Sequence, residues 1–326
     1  MKTKENNFQI SLVFVVIFAG FLYIIPKLER KKPLLLQPLS APIHLRHYSL
    51  VAEKSSDNGK KIKFVNPNVD NYDRNIKHAA SLGLPCYQKN QFEGRAVIVC
   101  GSGPSLKNPE VLDEIRRRIA DDNAILVACK KAIKYLYEEG FQVDWAVSMD
   151  PGDHIANDDR MFRAPNVKHL IASSSDPAVF EWLKDEDVTI FHSATGYEKE
   201  VRLYKELFDN DMCMGGGYNV VNRAVSAFLY MGCKPMVLAG TDCGWREGSK
   251  FYVDETNNRP GVDMCDNGAV DGTPWMTRPD MLASAVSLAK LAKSMSEKDF
   301  VMLGDTIPSK LRYKDNDFLD NCARMG

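Results

Sequence analysis

The apolar run Ala96–Cys100 ends directly in Gly101-Ser102-Gly103-Pro104-Ser105-Leu106. The run is short and rich in valine and isoleucine, as a strand covered on both faces should be. Two glycines then allow close backbone approach, and Pro104 presets the φ of a first helical turn. N–H groups left unpaired at such a helix start can seat an anion, and a nucleotide phosphate is the expected guest. Gly101, Ser102, Gly103, Pro104 and Ser105 are therefore candidate phosphate-binding residues. A second cluster, Met214-Gly215-Gly216-Gly217-Tyr218-Asn219, precedes a helical stretch and repeats that logic. It adds Gly215, Gly216, Gly217 and Asn219 to the nucleotide-binding set. The plainer reading of either loop is a turn or hinge that only joins two elements.

Two familiar phosphate loops are excluded. A dinucleotide fingerprint needs glycine where Leu106 stands and an acid after the next strand, where Lys130 and Lys131 follow Ile125–Cys129. A Walker loop needs Gly-Lys-Ser/Thr, which is absent here. Carboxylates recur just after apolar runs, at Asp150, Asp242 and Asp305. Asp150 is a candidate catalytic residue. Asp242 is assigned to the nucleotide. His154 and His192 are candidate general bases, because an imidazole titrates near neutrality. Each aspartate is equally suited to cap a helix, and each histidine to sit on a surface.

Strand and helix signals alternate around these residues. Strands are predicted at Arg95–Cys100, Ile125–Cys129, Trp145–Met149, His169–Ala172, Val188–Phe191, Met236–Ala239 and Phe300–Leu303. Helices are predicted at Asn108–Ala120, Lys131–Glu139, Tyr218–Met231 and Met281–Ser294, with Asn71–Leu84 as a further short helix packed on the body. The alternation implies an α/β, Rossmann-like fold, with a mostly parallel sheet and helices on both faces. Ligands of such sheets bind at the carboxyl ends of the strands, where the glycine loop and the three aspartates fall.

The chain has 326 residues, Lys+Arg 42 and Asp+Glu 43, and a net charge of -1. Without a basic excess, nucleic acid is not an expected partner. Phe8–Ile25 is uncharged and apolar, long enough to cross a bilayer core. Pro26-Lys27-Leu28-Glu29-Arg30-Lys31-Lys32 follows instead of a small-residue cleavage site, favouring a transmembrane signal-anchor over a cleaved signal peptide. Positive charge on its C-terminal side, the buried character expected of Cys100 and Cys129, and the absence of an Asn-x-Ser/Thr sequon place the body on the cytoplasmic side. Cys243 and Cys265 are a candidate pair that sequence does not settle. The resulting organisation is a tail at 1–7, a single-pass membrane anchor at 8–25, a stem at 26–90 and the nucleotide-binding domain at 91–326.

Taken together, GSGPSL, WAVSMDP, GGGYNVVNRAVSAFLYMGCKPMVLAGTDCGW and LGDTIPSKLRYKDNDFLD resemble the 6-hydroxymethylpterin diphosphokinase MptE-like domain. That domain is shared with bacterial motility-associated factors implicated in flagellin glycosylation. The two glycine segments also resemble, more distantly, bacterial CMP-sialic-acid transferases. The resemblance spans about Gly94 to Leu319. It implies a Rossmann-like fold and one of two transferase chemistries. The first is glycosyl transfer of a nonulosonic sugar from a CMP donor to a hydroxyl of an acceptor glycan or protein. The second is Mg²⁺-dependent diphosphate transfer from ATP to a pterin. The resemblance aligns Asp150 with the pterin enzymes' metal segment and so implies Asp150 and Asp153 as metal ligands, but Ser148-Met149-Asp150-Pro151 follows the bacterial form. The sialyltransferases place a histidine base after their Gly-x-Asp unit, and this chain has no histidine beyond His192. An inactive nucleotide-binding scaffold is the remaining reading.

Overall fold

The computed structural model describes residues 69–152, 163–193, 198–209, 213–215, 219–246, 253, 265–266, 270, 272 and 275–325. Its centre is a seven-stranded sheet built from β1 (Val97–Cys100), β2 (Ile125–Cys129), β3 (Trp145–Ser148), β4 (Lys168–Ala172), β5 (Val188–Phe191), β6 (Met236–Ala239) and β10 (Phe300–Met302). The spatial order is β10-β6-β1-β2-β3-β4-β5, and every pairing is parallel. A smaller antiparallel sheet of β7 (Trp245–Arg246), β8 (Cys265–Asp266) and β9 (Trp275–Thr277) follows β6 in the chain.

Parallel strands demand covering on both faces, and the apolar residues divide accordingly. Val97, Val99, Val127, Trp145 and Leu238 pack with helices α6 (Val220–Tyr230) and α7 (Pro279–Ser294). Ile98, Leu126 and Val237 face the other way, towards α2 (Pro109–Asp122) and α3 (Ala132–Glu138). Helix α4 (Pro177–Trp182) covers Ile171 and Ile190 beside the β5 edge. Helix α5 (Glu198–Phe208) packs Leu203 and Tyr204 against Tyr72 and Ile76 of α1 (Val69–Ser81). Short α8 (Ile307–Leu311) and α9 (Asn316–Met325) complete the face covered by α7.

Helix starts follow local chemistry. Asn108 caps α2 by accepting from Glu110 N–H at 3.0 Å, with Pro109 in the first turn. Asp176 caps α4 in the same way through Ala178 N–H, ahead of Pro177. Asn123 then ends α2 in the left-handed region at φ 48, a conformation that asparagine tolerates.

The α/β class and the parallel sheet match expectation. The short helix expected at Asn71–Leu84 is present at Val69–Ser81 and packs on the body. Helix α1 belongs to the folded body: Ile76 is buried, and Asn75 Nδ2 donates to the carbonyls of Pro151 and Ser174 at 3.2 and 3.0 Å. The expected anchor at 8–25 lies outside the described residues, among which no helix is long and apolar enough to cross a membrane. Cys100 and Cys129 are buried free thiols, as read from sequence, and Cys243 is also free.

Candidate functional site

Strands β1 to β5 run outward in one direction from β1, whereas β6 and β10 lie on its other side. The carboxyl ends of β1 and β6 therefore bound the switch point of the sheet, where open α/β folds bind their ligands.

At this point two glycine turns lock together. A Cβ on Gly101 would lie 2.5 Å from the Gly240 carbonyl oxygen, and one on Gly240, at φ +59, would collide with the Gly101 carbonyl. Gly103 N–H donates to that same Gly240 carbonyl at 2.8 Å, and Gly101 N–H to Ala239 O at 2.8 Å. A Cβ on Gly103 would overlap the Asp242 carboxylate. The glycines of the loop are thus required by contacts within the protein itself.

Asp242 completes the lock. Its carboxylate accepts Ser105 N–H at 3.2 and 3.3 Å and the Ser105 hydroxyl at 2.8 Å. The anion on the turn at Pro104–Lys107 is therefore a carboxylate of the protein, a local change from the expected phosphate seat. Burial pushes the Asp242 carboxyl up to about 7, against the pull of the Ser105 hydrogen bonds, and the Asp305 charge adds to the rise. Gly304, which follows β10 at φ +83, abuts Ser105, and Ile307 N–H donates to Asp242 O at 3.2 Å. Three strand ends meet here. Asp305 itself stays near the surface, paired with Arg246 at 3.0 Å and Lys310 at 2.8 Å.

Asp150 stands two strands from β1, at the end of β3. Its Oδ2 accepts from the Lys130 ammonium at 3.1 Å and its Oδ1 from Gly152 N–H at 3.3 Å. Lys130 follows β2 with φ 50, a left-handed conformation that is unusual for a side-chain-bearing residue.

The β5 end forms a third, enclosed group. His192 Nδ1 lies 2.9 Å from Ser173 Oγ, and the ring stacks on Tyr204 at 4.5 Å. It is fully buried, and burial pushes its pKa down to about 4. A neutral, enclosed imidazole of this kind serves packing better than proton exchange with a substrate at the rim. Beside it, Arg223 Nε donates to Ser193 Oγ at 3.0 Å, and Met214 N–H donates to His192 O at 2.7 Å. Gly215 accepts the Ser226 hydroxyl at 2.8 Å, and a Cβ there would meet nothing within 4 Å. Asn219 caps α6 by accepting from Asn222 N–H at 2.9 Å. Asp153, His154, Gly216 and Gly217 lie outside the described residues.

The structure thus joins Gly101–Ser105 to Asp242, sets Asp150 beside them on the rim, and keeps His192 with Gly215 at the far strand end. Lys130 is the residue that the sequence reading missed. It entered there only as a non-acidic residue after a strand, and its backbone twist has no sequence signature. Magnesium fits the described donors poorly. One Asp150 oxygen faces an ammonium and the Asp242 carboxylate is committed to Ser105. Among the described residues no three Asp, Glu, His or Cys gather as a ligand set.

A family model described as 6-hydroxymethylpterin diphosphokinase MptE-like matches residues 70–248. No curated protein matches the chain. Among solved structures, the chain resembles a MAf glycosyltransferase from Magnetospirillum magneticum AMB-1, with a TM-score of 0.52 and 18% identity. The likeness covers 78% of this chain but 42% of that protein, so it speaks for the fold.

Proposed function

Because the chain belongs to the 6-hydroxymethylpterin diphosphokinase MptE-like family, we propose that it is a transferase working on a nucleotide-activated donor. The finer reading is glycosyl transfer from a CMP-sugar of the nonulosonic type to an acceptor hydroxyl. The family match and the glycosyltransferase-like fold support a transferase at the coarse level. One observation favours the glycosyl reading over diphosphate transfer. Among the described residues, the rim at β2 and β3 presents a lysine paired with one aspartate rather than a cluster of carboxylates. Transfer from ATP concentrates charge that kinases neutralise with Mg²⁺ held by carboxylates, whereas departure of CMP leaves one phosphate that an ammonium can balance. In this reading the bond from the sugar to the CMP phosphate breaks and a bond to the acceptor oxygen forms. The acceptor's proton passes to Asp150, and Lys130 steadies the departing phosphate. His192 takes no part, and His154 remains a second candidate base. The apolar stretch 8–25 would hold the enzyme at a membrane that carries its acceptor.

The test uses the full-length chain in detergent with CMP, CDP, ATP, GTP and UDP, each with and without Mg²⁺, followed by thermal unfolding. A ligand that binds only the native state raises its stability by about 2.7 kcal/mol at a hundredfold excess over Kd. Stabilisation by CMP without metal is the expected result. A response to ATP only with Mg²⁺ would instead establish the diphosphokinase, and no response would leave the scaffold.

A further inference from the structure

We infer that Lys130, with the hydroxyl of Ser148 on the neighbouring strand, forms a seat for an anionic group of the substrate. The inference rests on the transferase reading and names the part of the rim that holds the donor's charge.

Strand register carries the argument. Cys100 pairs with Ala128 of β2 and with Ala239 of β6, and Cys129 pairs with Val147 of β3. Counting on by one residue sets Lys130 and Ser148 at one level at the ends of β2 and β3, where Lys130 N–H still donates to Val147 O at 3.3 Å. Neighbouring strands lie about 4.8 Å apart, so this pair is spaced for a single phosphate or carboxylate.

Ser148 is 3% exposed, yet its Oγ finds no hydrogen-bond partner among the described residues. A buried hydroxyl without a partner destabilises the fold, so its retention points to a ligand that it serves. Lys130 holds a strained backbone at φ 50 and directs its ammonium to Asp150 Oδ2. An ammonium has three donors, and among the described residues Asp150 takes the only one engaged. A hydroxyl on the strand next to an ammonium suits an oxyanion, either a phosphate or a sugar carboxylate. Asp150 balances the ammonium in the free protein and restrains it in position for that guest.

The experiment titrates the full-length chain in detergent with inorganic phosphate, CMP, cytidine and N-acetylneuraminate by calorimetry. The variants are Lys130→Met, Lys130→Arg, Lys130→Gly and Ser148→Ala. Lys130→Gly suits the left-handed backbone and guards against a folding defect in Lys130→Met. The expected result is a loss of about tenfold or more in phosphate and CMP affinity in both uncharged variants, at an unchanged melting temperature. Lys130→Arg should retain most of the affinity. Ser148→Ala should melt higher than the parent yet bind phosphate more weakly, a combination that a purely structural serine does not produce. Lys130-dependent binding of N-acetylneuraminate in place of phosphate would also support the seat, with a carboxylate as its guest. Phosphate and CMP binding that ignores all four substitutions would overturn the seat, as would a parent chain that binds none of the anions. Lys130-dependent phosphate binding with no gain from the cytidine moiety would keep the seat and defeat the CMP-donor reading.

Discussion

Asp242→Asn should make the protein's stability less sensitive to pH between mildly acid and mildly basic conditions. In the native state the Asp242 carboxyl titrates at about 7, and burial is the main cause. Its ordinary value is 3.8, so the folded chain holds a proton that the unfolded chain releases across that interval. Stability contributed by this group is therefore greatest at the acid end and declines as pH rises through the interval, reaching its floor above about 7. The whole difference corresponds to about 4 kcal/mol, of which about 3 kcal/mol falls between about pH 5 and about pH 8. The asparagine side chain of the variant would carry no charge at either pH, and its amide oxygen can still accept from Ser105. Urea unfolding of parent and variant across that range isolates Asp242, because the remaining groups cancel in the difference. The parent should lose about 3 kcal/mol relative to the variant as pH rises. Parallel stability curves would refute the reasoning and show that water or a cation relieves the buried charge. The groups facing Asp242 are Ser105, the Cys243 thiol and Asp305, so Asp305→Asn serves as a control with a smaller effect in the same direction.

The two glycine clusters should respond differently to a single methyl group. Gly240→Ala places a Cβ against the Gly101 carbonyl and 2.9 Å from Leu106 Cβ at a left-handed φ, and should cost at least about 2 kcal/mol in urea unfolding. Gly215→Ala meets nothing within 4 Å and should change stability by no more than about 0.5 kcal/mol. Equal effects would contradict the packing described at the switch point. Burial holds His169 and His192 down at about 4, so both imidazoles should stay neutral through mildly acid conditions. Their ring-proton NMR shifts should stay flat down to about pH 5, and the native state should lose stability as pH falls from about 6.5 through about 4. A midpoint near 6 for His192 would return it to the candidate bases.

Much of the architecture was legible in the chain because its signals are local. Ile125–Cys129, Val188–Phe191 and Met236–Ala239 are strands with the predicted limits, since continuous apolar runs between turn residues leave few alternatives. Helix ends at Asn108 and Asn219 follow from capping chemistry carried by one side chain. The β7–β9 sheet and helices α4 and α5 were not anticipated. Two- and three-residue strands and a six-residue helix are too short to show a period, whereas the eleven-residue α5 carries an amphipathic pattern that the sequence reading passed over.

Residue pattern was enough for the α/β class, the strand-end placement of the polar residues and the family resemblance, all of which depend on local periodicity or on ordered motifs. Which contacts those residues make was decided by their neighbours in space. Ser105 and Asp242 are 137 residues apart, and only the pairing of β1 with β6 lets a carboxylate take the place where a phosphate was expected. Lys130 became a rim cation because its backbone turns left-handed and β3 carries Asp150 alongside it. His192 looked like a base in the sequence but is enclosed by Tyr204, Phe208 and Ser173, and the cost of charging it there makes it a weak proton acceptor. The physical reason is common to all three. Desolvation and long-range register depend on which strands become neighbours, and composition along one segment carries no record of that choice.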